Sequence, residues 1–522
     1  MSADHSPRPA RAVWVRRLAW VGLLLALIAA GAWWAMRPVV VEVVRPQVQD
    51  LSRTLQFTGR VESRERVDLG VTVTGRVEAV QVREGDRVQA GQMLITLEQD
   101  ESRAAQARRE QEIAAERARL ERELAAAVGY AGTLLFFLTS LAIGLSIAAS
   151  ALTSRALGAG HRERAERLAG ASLGLMAGFM TLAALLMWPA LDALLALLGA
   201  TGQTAALAAR FMRIVLFSVP LLGLGMCFGA LLRAVGDARR AMMVTLGAGA
   251  ISAVLDPLLI FGLGLGLDGA ALATVATRAF MVLIGVHALV RVHKLFRMPD
   301  AAALRAALRP FLAIGVPAVL TQVATPVGNA FVTGAIAPYG DDAVAGWAVV
   351  VRVIPVAFVA LFALSGSIGP ILGQNLGARR YDRLHSTMTD SFKVVLVYVA
   401  VVWLLLAIGS GWIADAFDAR GAGRDVIVFF CLFAAGSFAF NGALFVANAA
   451  FNNLGFAFYS TALNWGRATL GVFPFIALGS QWFGLKGVIA GYGLGVVVFG
   501  LVGAWLSLRV LGRLERDSPP AD

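Results

Sequence analysis

The sequence predicts an all-α polytopic membrane protein made of two parallel-repeat helix bundles, preceded by a small β-rich module and a charged helix. Three observations predict it. Hydrophobic residues make up 58% of the 522, charged residues only 15%, and mean hydropathy is +0.71. A soluble fold cannot hide that much apolar surface. Second, apolar runs of about 20 residues, the length of a membrane span, follow one another from Val128 to Val510. Third, the second half of that region echoes the first at a fixed offset.

The elements follow in order. Residues 1–17 are polar and arginine-bearing, and Leu18–Met36 is one uninterrupted apolar run with Trp33 and Trp34 near its end. It reads as an uncleaved anchor rather than a signal peptide, being long for the apolar core of one. Residues 37–99 read as β-structure, with strands Arg76–Val82 and Gln92–Glu98 and a turn at Glu84-Gly85-Asp86. Residues 100–127 form a charged helix rich in Ala, Leu, Glu and Arg. Eleven spans then follow: roughly 128–154, 168–191, 208–232, 241–263 and 268–290 in a first bundle (128–291). After a linker at 292–309 come 310–337, 343–374, 392–414, 425–450, 460–480 and 487–510 in a second bundle (310–510), then a tail at 511–522.

The repeat is visible in "LGAGHRERAERL" (157–168) against "LGARRYDRLHST" (376–387), and in "ALLRAVGDARRAM" (230–242) against "AAFNNLGFAFYST" (449–461). Gly377 minus Gly158 is 219, and so is Gly455 minus Gly236; Gly487 minus Gly269 is 218. Parallel repeats of this kind build transporters with the substrate site between halves. The span 310–337 maps onto residues 91–118, where Arg, Glu and Asp residues make a crossing too costly, at roughly 2.5–3.5 kcal/mol each. The first bundle therefore lacks its leading helix. The anchor restores parity: residues 1–17 and the arginine-rich loops around 155–167, 233–240, 291–309 and 379–383 fall in the cytoplasm. Asp192, Asp268, Asp341 and Asp342 fall outside, the 415–425 loop is mixed, and residues 37–127 are periplasmic. A bacterial inner membrane is the expected location.

The net charge of +12 is spread through short loops, which argues against nucleic acid as a partner. Cys227 and Cys431 lie in apolar runs and read as core residues. No His/Cys metal spacing, nucleophile elbow or phosphate loop occurs; "GLGLGLDG" (262–269) is a turn, and no enzyme, metal or cofactor is expected. The candidates are intramembrane polar residues. Asp256 in "SAVLDPLLIFG" leads, as a carboxylate beside a helix-bending Pro257, to be weighed against a capping or headgroup-facing role. Gln322 and Asn329 share a helix face, and Arg352, Asn441, Asn448 and Arg467 lie on later spans. They line a substrate cavity or serve as glue between helices.

Residues 128–510 resemble the MATE family of multidrug and toxic-compound extrusion transporters. The carriers are "ALTSRALGAGHRERAERLAG", "GALLRAVGDARRAM", "LDPLLIFGLGLGLDGAALATV", "NAFVTGAIAPYGDDAVAGWAVVVRV" and "GPILGQNLGARRYDRL". The resemblance implies efflux of small amphipathic, often cationic compounds in exchange for H⁺ or Na⁺, by alternating access. It also implies that Asp256 belongs to a cation-coupling cluster, with Thr274 as a hydroxyl partner and Ser252 where the family often has asparagine. The cluster's other aspartate belongs to the missing first helix, which weakens Na⁺ binding. Arg278, one turn after Thr274, either pairs with Asp256 or snorkels.

Residues 10–127 resemble the front of a periplasmic adaptor of tripartite efflux pumps, through "LQFTGRVESRERVDLGVTVTGRVEAVQVREGDRVQAGQMLITLE" and the charged helix. The resemblance implies half of a lipoyl-like module and contact with periplasmic efflux components. Residues 1–127 contain no lysine for lipoyl or biotin attachment. The alternatives are an adaptor-like scaffold, a flippase for lipid-linked substrates and a non-functional fusion.

Overall fold

A computed structural model of the chain describes residue 70, residues 74–98 and residues 100–517. The expected anchor at 18–36, the polar segment before it, most of the β module's first half and the last five residues lie outside the described residues. Two units divide between Gln111 and Glu112.

In the first unit, β1 (Val77–Val80) pairs antiparallel with β2 (Ile95–Leu97). The connection holds two turns. Gly85 takes a φ of 97° while the Arg83 amide donates to the Asp86 carboxylate at 2.6 Å, and Gly91 (φ 87°) makes the second. A charged helix follows these strands. It is the start of α1 (Asp100–Gly158), which runs unbroken through the point where the sequence changes from charged to apolar. Gly129 and Gly132 at that point are weak helix formers, but no proline stands there and strong formers flank it on the charged side, so the helix continues.

The second unit continues with α2 (Arg162–Leu197), α3 (Gly202–Leu216), α4 (Val219–Ala234), α5 (Ala238–Pro257) and α6 (Gly266–Val286). Then come α7 (Ala301–Ile336), α8 (Asp341–Ala357), α9 (Val359–Gly377), α10 (Tyr381–Ala416), α11 (Gly421–Leu432), α12 (Phe438–Leu454), α13 (Ala457–Ala468) and α14 (Phe473–Arg516). Nine helices among the described residues are long and apolar enough to cross a membrane, or ten if α3 and α4, bent by 54°, form one span. α14 folds back on itself at Gly484, whose φ of 56° and ψ of −136° break the helix. Behind that break Gly487, Gly491 and Gly495 lie so close to the backbone of Gly479, Phe475 and Gly471 that a Cβ on any of them would overlap a carbonyl oxygen.

Helix boundaries reproduce the repeat. α2, α3, α4 and α5 begin at 162, 202, 219 and 238; α10, α11, α12 and α13 begin at 381, 421, 438 and 457, each 219 later. Two hydrophobic cores match the two halves, one around Met176, Met180 and Leu231, the other around Trp347, Phe430 and Phe451. α7 belongs to both: Phe311 and Ile314 lie in the first core, Val332 and Ile336 in the second.

Backbone strain also follows the repeat, and the two halves solve it differently. Position 160 is a glycine at φ 76°, and its counterpart 219 residues later is Arg379 at φ 55°. A side chain at positive φ costs on the order of 1–2 kcal/mol, a cost glycine avoids. Arg379→Gly is therefore expected to raise the thermal unfolding midpoint of the purified protein, and Gly160→Arg to lower it. An unchanged or lower midpoint for Arg379→Gly would contradict the strain assigned here.

Candidate functional site

A dense buried polar cluster lies where α7, α12 and α13 meet. α13 is short, and Ser460, Thr461, Asn464 and Arg467 recur along it at the three- and four-residue spacing that gathers them on one face. That face is buried. The Asn448 Oδ1 on α12 accepts from the Ser460 hydroxyl at 3.0 Å and from Asn464 Nδ2 at 2.9 Å. The Thr461 hydroxyl donates to the Pro317 carbonyl of α7 at 2.7 Å, and Thr321 lies 3.4 and 3.3 Å from the hydroxyls of Ser460 and Thr461. Arg467, only 5% exposed, donates from Nη2 to the Thr325 hydroxyl at 3.3 Å, while its buried Nε has no partner among the described residues. Asn441, about two turns before Asn448 on α12, has a buried Oδ1 without a partner among the described residues. A buried guanidinium and free amide groups can bind a polar or anionic group that brings its own acceptors and donors.

Sequence reasoning placed Asn441, Asn448 and Arg467 in this region and missed Thr321, Thr325, Ser460, Thr461 and Asn464. Their spacing along α13 was the available signal. The half-buried Gln322 and Asn329 share α7 with Thr321 but make no side-chain hydrogen bond among the described residues, and Arg352 on α8 is exposed. These three do not join the network.

The first bundle gathers less than the resemblance implied. Asp256, half-buried near the end of α5, accepts from the Ser252 hydroxyl at 2.6 Å. A π-helical turn over Leu258–Gly262 follows Pro257, as expected where proline removes a helical hydrogen bond. Thr274 spends its hydroxyl on the Ala270 carbonyl of its own helix at 2.9 Å. Arg278 corrects the expectation that it pairs with Asp256 or snorkels. It is buried, and its Nη1 donates to the Ser218 hydroxyl at 2.8 Å and the Val215 carbonyl at 3.4 Å. At the α3–α4 bend the Val215 carbonyl accepts from the Ser218 amide at 2.9 Å and the Ser218 hydroxyl at 2.7 Å, and Arg278 braces this turn from the neighbouring helix.

A third feature joins the two bundles at the end where α1, α4, α9 and α12 terminate. Arg155 on α1 donates from Nε to the Asn453 carbonyl at 2.7 Å and from Nη2 to the Asn452 carbonyl at 3.2 Å. Gln374 on α9 donates to the Ala234 carbonyl at 2.7 Å. Gln374 is Arg155 plus 219, and Asn453 is Ala234 plus 219. The two contacts are thus one contact made twice, each bundle latching onto the last carbonyls of the other's helix. Gly158 and Gly377, again 219 apart, sit at the crossing; a Cβ on Gly158 would overlap the Gln374 carbonyl oxygen, and one on Gly377 the Arg155 carbonyl oxygen. Beside this junction Asp237 receives the Arg240 amide at 3.0 Å, the Arg240 guanidinium at 2.6 Å and His293 Nε2 at 2.7 Å. Burial pushes its carboxyl up, but those hydrogen bonds and the Arg240 charge outweigh that and hold it at about 2, so it stays ionised. Arg210 with Asp268, Arg213 with Asp192 and Arg424 with Asp415 pair at the opposite end.

Comparison with known proteins agrees with this architecture. The family model MatE matches residues 118–258 and 317–475. An FAD transporter of Shewanella oneidensis is 27% identical over 398 residues, covering 74% of this chain and 87% of that protein. The multidrug export protein MepA of Staphylococcus haemolyticus is 29% identical over 233 residues, 44% of this chain; the chain spans about half (49%) of that relative's length. The crystal structure of the Vibrio cholerae MATE transporter VcmN in its bent form superposes with a TM-score of 0.71 at 25% identity, covering 75% of this chain and 89% of that one. With more than half of its length matched, the chain belongs to the MatE family of membrane transporters.

Proposed function

We propose that this protein is an inner-membrane exporter of small amphipathic compounds, coupled to an H⁺ or Na⁺ gradient and working by alternating access between its two bundles. The observation that carries the reading is the doubled latch. Two bundles joined at one end by a contact repeated by symmetry can open together at that end and close at the other, as alternating access requires. The relatives are a multidrug export protein and an FAD transporter, which supports a transporter.

The arginine-rich latch end is assigned to the cytoplasm by its charge. Counting the Gly484 fold-back as two crossings adds one to the ten possible spans, giving the expected eleven. On this reading residues 37–127 are periplasmic, with the adaptor-like sequence facing other efflux components.

Asp256 is the proposed coupling carboxylate, with Ser252 as its hydroxyl partner. Thr274 and Arg278 are not assigned to coupling, since both are engaged elsewhere. The test is growth of a drug-sensitive host expressing the full chain or its Asp256→Asn variant at equal membrane levels. Weak resistance in the first and none in the second is expected. Resistance unaffected by Asp256→Asn removes the coupling role, and no resistance from the unmodified chain removes drug export.

A second reading of the cargo rests on the sign of the buried charge. Arg278 (7% exposed) and Arg467 (5%) are buried among the helices without a carboxylate partner among the described residues. That favours an anionic cargo over a cationic one.

A further inference from the structure

A cavity of about 830 Å³ opens beside the latch, between the end of α1, the start of α2 and the start of α7. Arg155, His161, Arg164 and Arg167 line it, against a single carboxylate, Asp300. Asp300 is already committed: its Oδ1 accepts from the Ala303 amide at the start of α7. That 36-residue helix directs the positive end of its dipole into the cavity, whose wall includes Ala302 and Ala303. Leu152, Leu168 and Pro310 form an apolar side.

The surrounding cations are not all balanced by the protein. Arg162 pairs with Glu166 and Arg380 with Asp382 outside the cavity lining. Arg167 pairs with Glu163 only where both are exposed, and Arg164 and His161 have no ion pair among the described residues. Arg155 directs Nε and Nη2 at the opposite bundle, and its Nη1 makes no hydrogen bond among the described residues. Scattered loop arginines satisfy a charge rule by lying in water. Here three guanidinium groups, an imidazole and a helix N-terminus converge on one concave space that also has an apolar wall.

We infer that this cavity binds a phosphate-bearing anion with an apolar portion, held by Arg164 and Arg167 and reaching the free edge of Arg155. Arginine suits phosphate because its planar fork presents paired donors. Such a group can come from an anionic phospholipid headgroup of the adjoining leaflet or from a soluble phosphate compound. The site is distinct from the α7–α12–α13 cluster and does not depend on the cargo proposed above.

The experiment uses the full chain and its Arg164→Gln/Arg167→Gln double variant. Both residues are exposed, so folding is expected to survive; Arg239→Gln, an exposed arginine in the first turn of α5 and outside the cavity, is the control. In one arm, native mass spectrometry measures retained phosphatidylglycerol against phosphatidylcholine. In the other, pyrophosphate is titrated onto protein in phosphatidylcholine nanodiscs and the unfolding midpoint is followed. Either arm is expected to show binding to the unmodified chain that the double variant weakens roughly tenfold, as loss of charge-assisted hydrogen bonds gives. Binding in the first arm identifies a lipid headgroup, and in the second a soluble phosphate. No preference in either arm, or an equal loss with Arg239→Gln, overturns the proposal.

Discussion

Gly158→Ala is expected to reduce transport by about two orders of magnitude while the protein still folds and inserts, because it holds the latch open. The added methyl would overlap a backbone carbonyl, that of Gln374, which cannot rotate away as a side chain does. The bundles must separate at that point. Separation breaks the bonds from Arg155 to Asn453 and from Gln374 to Ala234, both 2.7 Å long. At roughly 1 kcal/mol for the neutral bond and 1.5–3 for the charged one, the closed state loses about 3 kcal/mol, enough to shift a two-state equilibrium some hundredfold. Gly377→Ala is expected to do the same by symmetry, through the Arg155 carbonyl. Gly178→Ala on α2, where a Cβ meets nothing within 4 Å, is the control.

The readout that separates gating from misfolding is thiol labelling at Ser154→Cys in a background without Cys227 and Cys431. Ser154 is fully buried at the junction, so the closed form protects it and the Gly158→Ala form exposes it. Arg155→Gln should be milder than Arg155→Ala, since glutamine performs the same task at position 374. Full transport by Gly158→Ala with Ser154→Cys still protected would show that this end does not gate.

The repeat behind that prediction was legible because glycine, arginine and chain spacing leave marks in sequence. Gly158, Gly377, Gly236 and Gly455 marked the offset, and helix starts at 162 and 381 or 238 and 457 fall where it requires. The latch itself was hidden. Its donors differ, arginine in one half and glutamine in the other, and its acceptors are backbone carbonyls that any residue carries. Arg278 was misjudged for a related reason: its partners are a bend carbonyl and Ser218, and the 54° break between α3 and α4 is marked in sequence by Pro220 alone, inside one continuous apolar run. Ser460, Thr461 and Asn464 escaped notice because hydroxyls and small amides barely interrupt an apolar run. Asp256 stood out as a charge in such a run, and its contact with Ser252 followed from helical spacing alone.

Arg467→Met is expected to leave the fold intact or firmer and to abolish transport of an anionic cargo. Among the described residues, buried Arg467 makes one weak hydroxyl contact and its Nε is unpaired. Replacing an incompletely paired buried charge by an apolar side chain of similar length is often neutral or stabilising, by about 1–4 kcal/mol. A residue kept only for packing would therefore be replaced without functional loss. A residue kept to meet a negative charge would not, and Arg467→Lys would recover part of the activity, since it restores charge without the planar fork. The measurement pairs the unfolding midpoint of each variant with uptake of an anionic and a cationic fluorophore into inverted vesicles. Loss of anion transport in Arg467→Met at an unchanged or raised midpoint, with partial rescue by lysine, is the expected pattern. Equal transport of both dyes by Arg467→Met would assign the guanidinium to structure alone and return the cargo to the cationic compounds that the family resemblance implies.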